Sequence, residues 1–289
     1  MERAIARVTG MRFEPVAVLF SNERPEKARQ FKEGKWGCAM FMVGAATRGA
    51  TAVFDRKTFG CPCAGVGLGF GNEYKNFPGG ENDFFYFLSV GNAAWEKGRA
   101  LCKELEPFLN AEMYDNFVRG ERYARTPQLV ENFVENLPIV DIPHEYVVFK
   151  PLKEVDLAKE IPEVIVFLGD MDQISALSVL ANFGRPGNEN VIFPFAAGCQ
   201  NMGIYAFREA KSEHPRAVLG LNDISARVAL KRMLKTDVCK ICGVSGLTSE
   251  ERTILRARQS CVFLPQDVGG RIWPCDRSYR PFRSHGFFR

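Results

Sequence analysis

Two kinds of apolar run recur along the chain. Some are short, unbroken and bounded by Pro, Gly or charged residues: Phe13 to Phe20, Thr51 to Phe54, Tyr146 to Phe149, Val164 to Leu168, Val191 to Phe193 and Ala217 to Leu219. Their length and β-branched content predict strands, the first and longest of them buried. The others are longer. A helix is predicted from Cys38 to Gly49, which would cap it. Residues 81–125 read as mostly helical, with one helix over 92–107. Asp172 to Phe183 places Ile174, Leu177, Leu180 and Ala181 on one helical face. Two further helices are predicted, from Cys199 to about Glu213 and from an Asn222 or Asp223 cap to Leu234.

Between these lie polar or glycine-rich stretches. Residues 23–35 form a charged connector. Gly60 to Gly71 is too rich in glycine for regular structure. Residues 126–162 are polar and carry Pro127, Pro138, Pro143, Pro151 and Pro162, which suits a joint between two lobes. Strands alternate with helices in the second half. The expected class is α/β, with mixed α+β as the alternative: a mixed or parallel sheet covered by helices, in one body or two lobes.

Composition narrows the function. The 289 residues are 46% hydrophobic and 25% charged, as in a globular protein with a sizeable core. A net charge of +4 is too small to suggest a dedicated nucleic-acid binder, so nucleic acid is not an expected partner. The arginine-rich aromatic tail from Arg271 reads as packed on the protein. No apolar run is long enough to cross a bilayer, and the first residues carry charges where a signal peptide needs apolar ones. The expectation is a cytoplasmic protein, a homo-oligomer being compatible with it. In a reducing compartment nine cysteines do not read as a disulfide framework; they are core residues, metal ligands or reactive groups.

Cys38 and Cys199 fall at predicted helix starts, and Cys61 opens the glycine-rich loop. Such positions offer unpaired N–H groups and favour thiolates, the form that binds metal or attacks. Gly65 and Gly67 would let the backbone approach a bulky inorganic group or an anionic substrate. With Cys63 as a fourth ligand the set suits a closed [4Fe–4S] cluster of the electron-transfer kind. With three ligands one iron stays open to a small or sulfur-containing substrate. The competing reading makes the same thiols small core residues beside close-packed glycines. A metal-free binder of anionic metabolites or a cysteine-nucleophile enzyme then follows.

Cys239 and Cys242 form a Cys-x-x-Cys pair that reads first as ordinary thiols or a pair local to this lobe; the competing reading is a second metal or redox site, with Cys261 and Cys275 completing four thiolates for zinc. Cys102 reads as core. Arg227 stands four residues after Asp223, as a surface ion pair or as an anchor for an anionic substrate. No dinucleotide or P-loop register fits the glycine run, and His144, His214 and His285 are scattered, which argues against His-based hydrolysis.

Several stretches together carry a family likeness: Glu14-Pro15-Val16-Ala17-Val18, Cys38, Gly60-Cys61-Pro62, Phe149-Lys150-Pro151-Leu152, Pro194-Phe195-Ala196-Ala197-Gly198-Cys199-Gln200, and Gly220-Leu221-Asn222-Asp223-Ile224-Ser225-Ala226-Arg227. They resemble the domain of unknown function 169, the uncharacterised ArCR proteins of archaea and anaerobic bacteria. The likeness implies that Cys38, Cys61 and Cys199 belong to a family pattern, in an anaerobe-type setting where iron–sulfur clusters are common. Cys63 departs from that pattern, which favours three protein ligands. It covers roughly residues 10–235, which implies one family-like domain over 1–235 and a cysteine-containing extension over 236–289.

Overall fold

A computed structural model describes residues 2–220 of the chain. In order these form α1 (Glu2–Val8), β1 (Val16–Ser21), α2 (Ala39–Ala46), β2 (Ala52–Phe54), α3 (Pro62–Gly67) and α4 (Glu81–Leu88). Then come α5 (Glu96–Leu105), α6 (Ala111–Arg119), α7 (Pro127–Glu135), β3 (Tyr146–Pro151) and β4 (Val164–Val166). The described part closes with α8 (Met171–Asn182), β5 (Val191–Ile192), α9 (Gly198–Gln200), a π-turn over Asn201–Tyr205, α10 (Ala206–Ala210) and β6 (Ala217–Val218).

Local chemistry sets several of these boundaries. Asn110 and Thr126 accept from the backbone N–H three residues on, at 2.9 and 3.3 Å, and start α6 and α7. Pro127 sits in the first turn of α7, where a missing N–H costs nothing. Asp170 and Gln173 form a reciprocal capping box at the start of α8. Residues 92–107 are a 3-10 turn followed by α5, and the helix that was expected to reach Glu213 ends at Ala210.

The main sheet has the order β2-β3-β1-β4, and every pair in it is antiparallel. Helices over a sheet agree with the expected mixed class, but the expected parallel arrangement is corrected. Both faces of the sheet are covered, so its strands read as unbroken apolar runs whichever way they pair. Val16, Val18, Ala52, Phe54, Val147 and Phe149 face one cluster, with α2, α3 and the start of α9. Ala17, Leu19, Val53 and Val148 face a smaller cluster that includes Leu152 and Val155. The register Val18↔Phe149 fixes this alternation, because a one-residue slip would exchange the faces. A separate two-stranded sheet, β5 with β6, is parallel, with α9 and α10 in the crossover between its strands.

A third cluster is almost wholly helical. Tyr74, Phe77, Phe84, Phe85, Phe87 and Leu88 pack with Phe117, Tyr123, Val130 and Val134. The stretch 126–162, read as a joint, supplies α7 to this cluster and β3 to the middle of the sheet. Cys102 is buried here on α5, the core position expected of it. Among the described residues no helix is long and apolar enough to cross a membrane.

Candidate functional site

The glycine-rich stretch contains a helix, α3, over Pro62–Gly67. Pro62 occupies the first turn of α3, and Ala64 and Gly65 donate backbone N–H bonds to the Cys61 carbonyl at 2.9 and 3.0 Å. Its glycines are explained by what they touch. A Cβ on Gly67 would stand 2.7 Å from the Cys199 carbonyl carbon and 2.8 Å from the Gln200 nitrogen. Gly203 abuts the Gly67 carbonyl oxygen even more closely. Two backbones therefore cross almost in contact, a place only glycine can occupy.

That crossing brings the cysteines together. Cys38 is the N-cap of α2, Cys61 the N-cap of α3, Cys63 lies in the first turn of α3 and Cys199 in the first turn of α9. All four line one cavity of about 120 Å³. A single water needs roughly 10–15 Å³ of such space, so a small group fits. The Cys199 thiol donates to the Cys63 carbonyl at 3.2 Å. Gln200 is fully engaged: its carbonyl oxygen accepts from Ala197 N–H at 2.8 Å, and its amide donates to the Tyr74 hydroxyl.

The thiols are not equivalent. Cys63 donates a hydrogen bond to the Cys61 sulfur, and this, against burial, holds Cys61 below the ordinary thiol range; the nearby N–H groups of Ala64 and Cys63 act the same way. The same bond holds the Cys63 proton, and with burial pushes Cys63 far up. Burial chiefly raises Cys199, with the charges of Cys61 and Cys38 adding to it. The negative charge of Glu121 opposes ionisation of both Cys61 and Cys63. Among the described residues, no three His, Cys, Asp or Glu side chains are gathered closely enough to hold one metal ion.

The remaining wall is aromatic: Trp36, Phe77, Phe84, Phe87, Tyr123 and Phe133, with Glu121 among them. The rings brace one another. Phe77 meets Trp36, Phe84 and Phe87 at centroid distances of 6.2, 5.4 and 5.1 Å, and Tyr123 meets Phe133 at 5.3 Å. Residues 121–123 are strapped to the end of α4. Glu121 N–H donates to Phe87 O at 2.8 Å, Arg122 N–H to Ser89 O at 3.3 Å and Tyr123 N–H to Leu88 O at 2.7 Å. Arg122 takes φ +57, a left-handed conformation unusual for arginine, to let its two neighbours turn toward the cavity.

The four cysteines singled out from the sequence line this cavity, and Glu121 and the ring wall were not singled out. Their only signal was Gly120 beside a run of charges, which reads as an ordinary turn. Gly65 and Gly67, expected to present N–H groups to a ligand, are not among the lining residues; Gly65 faces Glu73 and Phe59. Arg227, Cys239, Cys242, Cys261 and Cys275 lie outside the described residues.

Comparison with known proteins gives one result. A family model described as domain of unknown function 169, uncharacterised ArCR, matches residues 4–235. No curated protein and no solved structure matches the chain.

Proposed function

We propose that this chain, which belongs to the domain of unknown function 169 family over residues 4–235, holds an iron–sulfur cluster in its cysteine-lined cavity. The observation that carries the reading is the convergence of Cys38, Cys61 and Cys199, successively 23 and 138 residues apart, on one cavity at three separate helix starts. Core cysteines have no physical reason to collect at helix N-termini around an open space. Soft thiolates select zinc, copper(I) or iron–sulfur clusters. A single ion draws its ligands to one point. A cluster binds each cysteine at a different iron, so its ligand sulfurs stand further apart, as separate helix starts would hold them.

The residues present fit such a group. Cys38, Cys61 and Cys199 would be the ligands, held at helix starts whose partial positive charge favours thiolates. When bound, a three-cysteine cluster supplies an iron open to substrate, and a four-cysteine cluster supplies one-electron transfer. The chain's own part is to hold the thiolates, to exclude bulk water with the ring wall and to tune the site through Glu121. Cys63, bonded to Cys61 and lying beside it, is the surplus thiol, so three ligands are favoured. The reading implies an enzyme of anaerobe-type metabolism.

Single Cys→Ser variants of the full chain, purified anaerobically, test the assignment through bound iron and sulfide. Loss is expected for Cys38, Cys61 and Cys199, with Cys63→Ser retaining the cluster. Loss in Cys63→Ser as well, or retention in any of the other three variants, would overturn the ligand set.

The Cys61–Cys63 hydrogen bond favours a second reading, a thiolate nucleophile at Cys61 with Cys63 as its proton-bearing neighbour. Rapid alkylation of Cys61 in a metal-free, fully folded protein distinguishes it. The anionic-metabolite reading calls for a cation at the site, and the residue expected to supply it, Arg227, lies outside the described residues.

A further inference from the structure

We infer that residues 222–234 of this same chain dock along an exposed apolar stripe of α8, beside the β5–β6 sheet. The inference stands apart from the cluster reading.

Helix α8 holds no buried residue, although most of its side chains are apolar. Ile174, Leu177 and Ala181 are half-buried on one face. Ala176, Val179 and Phe183, at spacings of three and four, lie on the other side and are exposed, with Leu180 at the boundary. Val179 is 66% exposed and Phe183, just past the helix end, 83%. A helix apolar on two sides belongs between two layers, and among the described residues this one has a single layer against it. Strands β5 and β6 show the same deficit. They pair in parallel, a pattern normally covered on both faces, yet neither holds a buried residue.

The chain itself can supply the missing layer. The described residues end at Gly220, two residues after β6, where Leu219 N–H donates to Ile192 O at 2.8 Å. The family match runs on to residue 235, so the next fifteen residues lie within the matched domain. Beside Gly220, the buried Asn201 keeps its Oδ1 without a hydrogen-bond partner among the described residues, and a donor from the residues that follow would satisfy it. The segment carries the complementary pattern. Ala226, Ala229, Leu230 and Met233 recur at the i, i+3, i+4, i+7 spacing of one helical face. As a helix, 222–234 would span about 20 Å, against about 18 Å for α8. Arg227 and Arg232 flank that face, while α8 carries Asp172 and no basic residue, so the charges are complementary. A segment tethered at Gly220 acts at an effective concentration of about millimolar, which favours it over a second copy of the chain. The crossover between β5 and β6 carries Cys199, so this cover also steadies one wall of the cysteine cavity.

The test places the photo-crosslinking side chain p-benzoylphenylalanine at position 183 of the full chain, in a mixture of normal and isotopically heavy protein. Peptide mass spectrometry should find crosslinks from Phe183→p-benzoylphenylalanine to residues 222–234, with both halves from one chain. The same label at Phe108, which is 79% exposed, should give no such crosslinks. Crosslinks joining light and heavy chains would make the stripe a face between copies and overturn the inference. Crosslinks from position 183 to other parts of the chain, none at all, or the same crosslinks from Phe108 would overturn it too. Leu230→Asp in the full chain should abolish the crosslink and speed hydrogen exchange of α8 amides about tenfold, with β1 and β3 unchanged. Unaltered α8 exchange in a Leu230→Asp protein that keeps β1 and β3 protected would contradict the docking. The crosslink in protein carrying only the position-183 label decides the question whether or not Leu230→Asp folds.

Discussion

Gly67→Ala tests how the cavity is built. The added methyl would stand 2.7 Å from the Cys199 carbonyl carbon and 2.8 Å from both the Cys199 oxygen and the Gln200 nitrogen. Ordinary Cβ contacts begin near 3.4 Å, so the end of α3 and the start of α9 must part by about 0.7 Å. All three obstructing atoms are backbone and cannot rotate aside. Overpacking of this kind costs about 1–3 kcal/mol, and a backbone clash belongs at the upper end. For a domain of this size, about 3 kcal/mol lowers Tm by roughly 6–12 °C. Gly44→Ala is the matched control. It lies within α2, its nearest outside atom is an Arg48 guanidinium nitrogen at 3.7 Å, and replacing a helical glycine with alanine stabilises by roughly 0.5–1 kcal/mol. Thermal unfolding by circular dichroism, without added ligand, reads both. If Gly67→Ala leaves Tm unchanged while Gly44→Ala raises it, the close crossing of α3 and α9 is refuted, and Gly67 returns to a ligand-contacting role.

Other outcomes follow from the side chains. Because Cys61 is held below the ordinary thiol range chiefly by the Cys63 thiol, its alkylation in metal-free protein should rise at a lower pH than that of an ordinary thiol. Cys63→Ala should move that rise to higher pH and Cys63→Ser, which keeps a donor, should move it less; mass spectrometry of alkylated peptides reads it. Glu209 is buried on α10 and held by Arg216 through two contacts of 2.9 Å, with Arg208 at 3.1 Å. Arg216 keeps the Glu209 carboxyl below its ordinary value, so the pair's stabilisation is complete above about pH 4.5 and fades as pH falls through the lowered folded value. Glu209→Gln should lower urea stability at pH 7 and flatten its loss below pH 4.5; parallel pH curves for both proteins would contradict this. Phe84→Ala, which removes a fully buried ring stacked on Tyr74 at 4.0 Å, should cost about 3–5 kcal/mol in denaturant unfolding.

The legible parts of this chain are those governed by local patterns. Cys38 precedes an apolar run without strand punctuation, and Cys199 follows Gly198, so their places at helix starts could be read directly. The sheet's direction could not. Strands β1 and β3 pair across more than a hundred residues of mostly helical chain, and both their faces are buried, so periodicity is silent on direction. Helix α3 was hidden because its glycines serve a tertiary contact; propensity argued for a loop, and the crossing with Cys199, Gln200 and Gly203 overrode it. The ring wall was hidden differently. Phe84 and Phe87 were visible as helix residues, but nothing local says that Glu121, thirty-four residues beyond Phe87, is bonded to that residue's carbonyl.

The central claim is that the four-cysteine cavity seats a cluster. The most direct measurement is iron and acid-labile sulfide on anaerobically purified full-length protein, with its visible spectrum. The account predicts a brown protein with about four irons and four sulfides per chain, lost on replacing Cys38, Cys61 and Cys199 with serine. A folded, colourless protein that takes up neither iron nor sulfide after anaerobic reconstitution would contradict it.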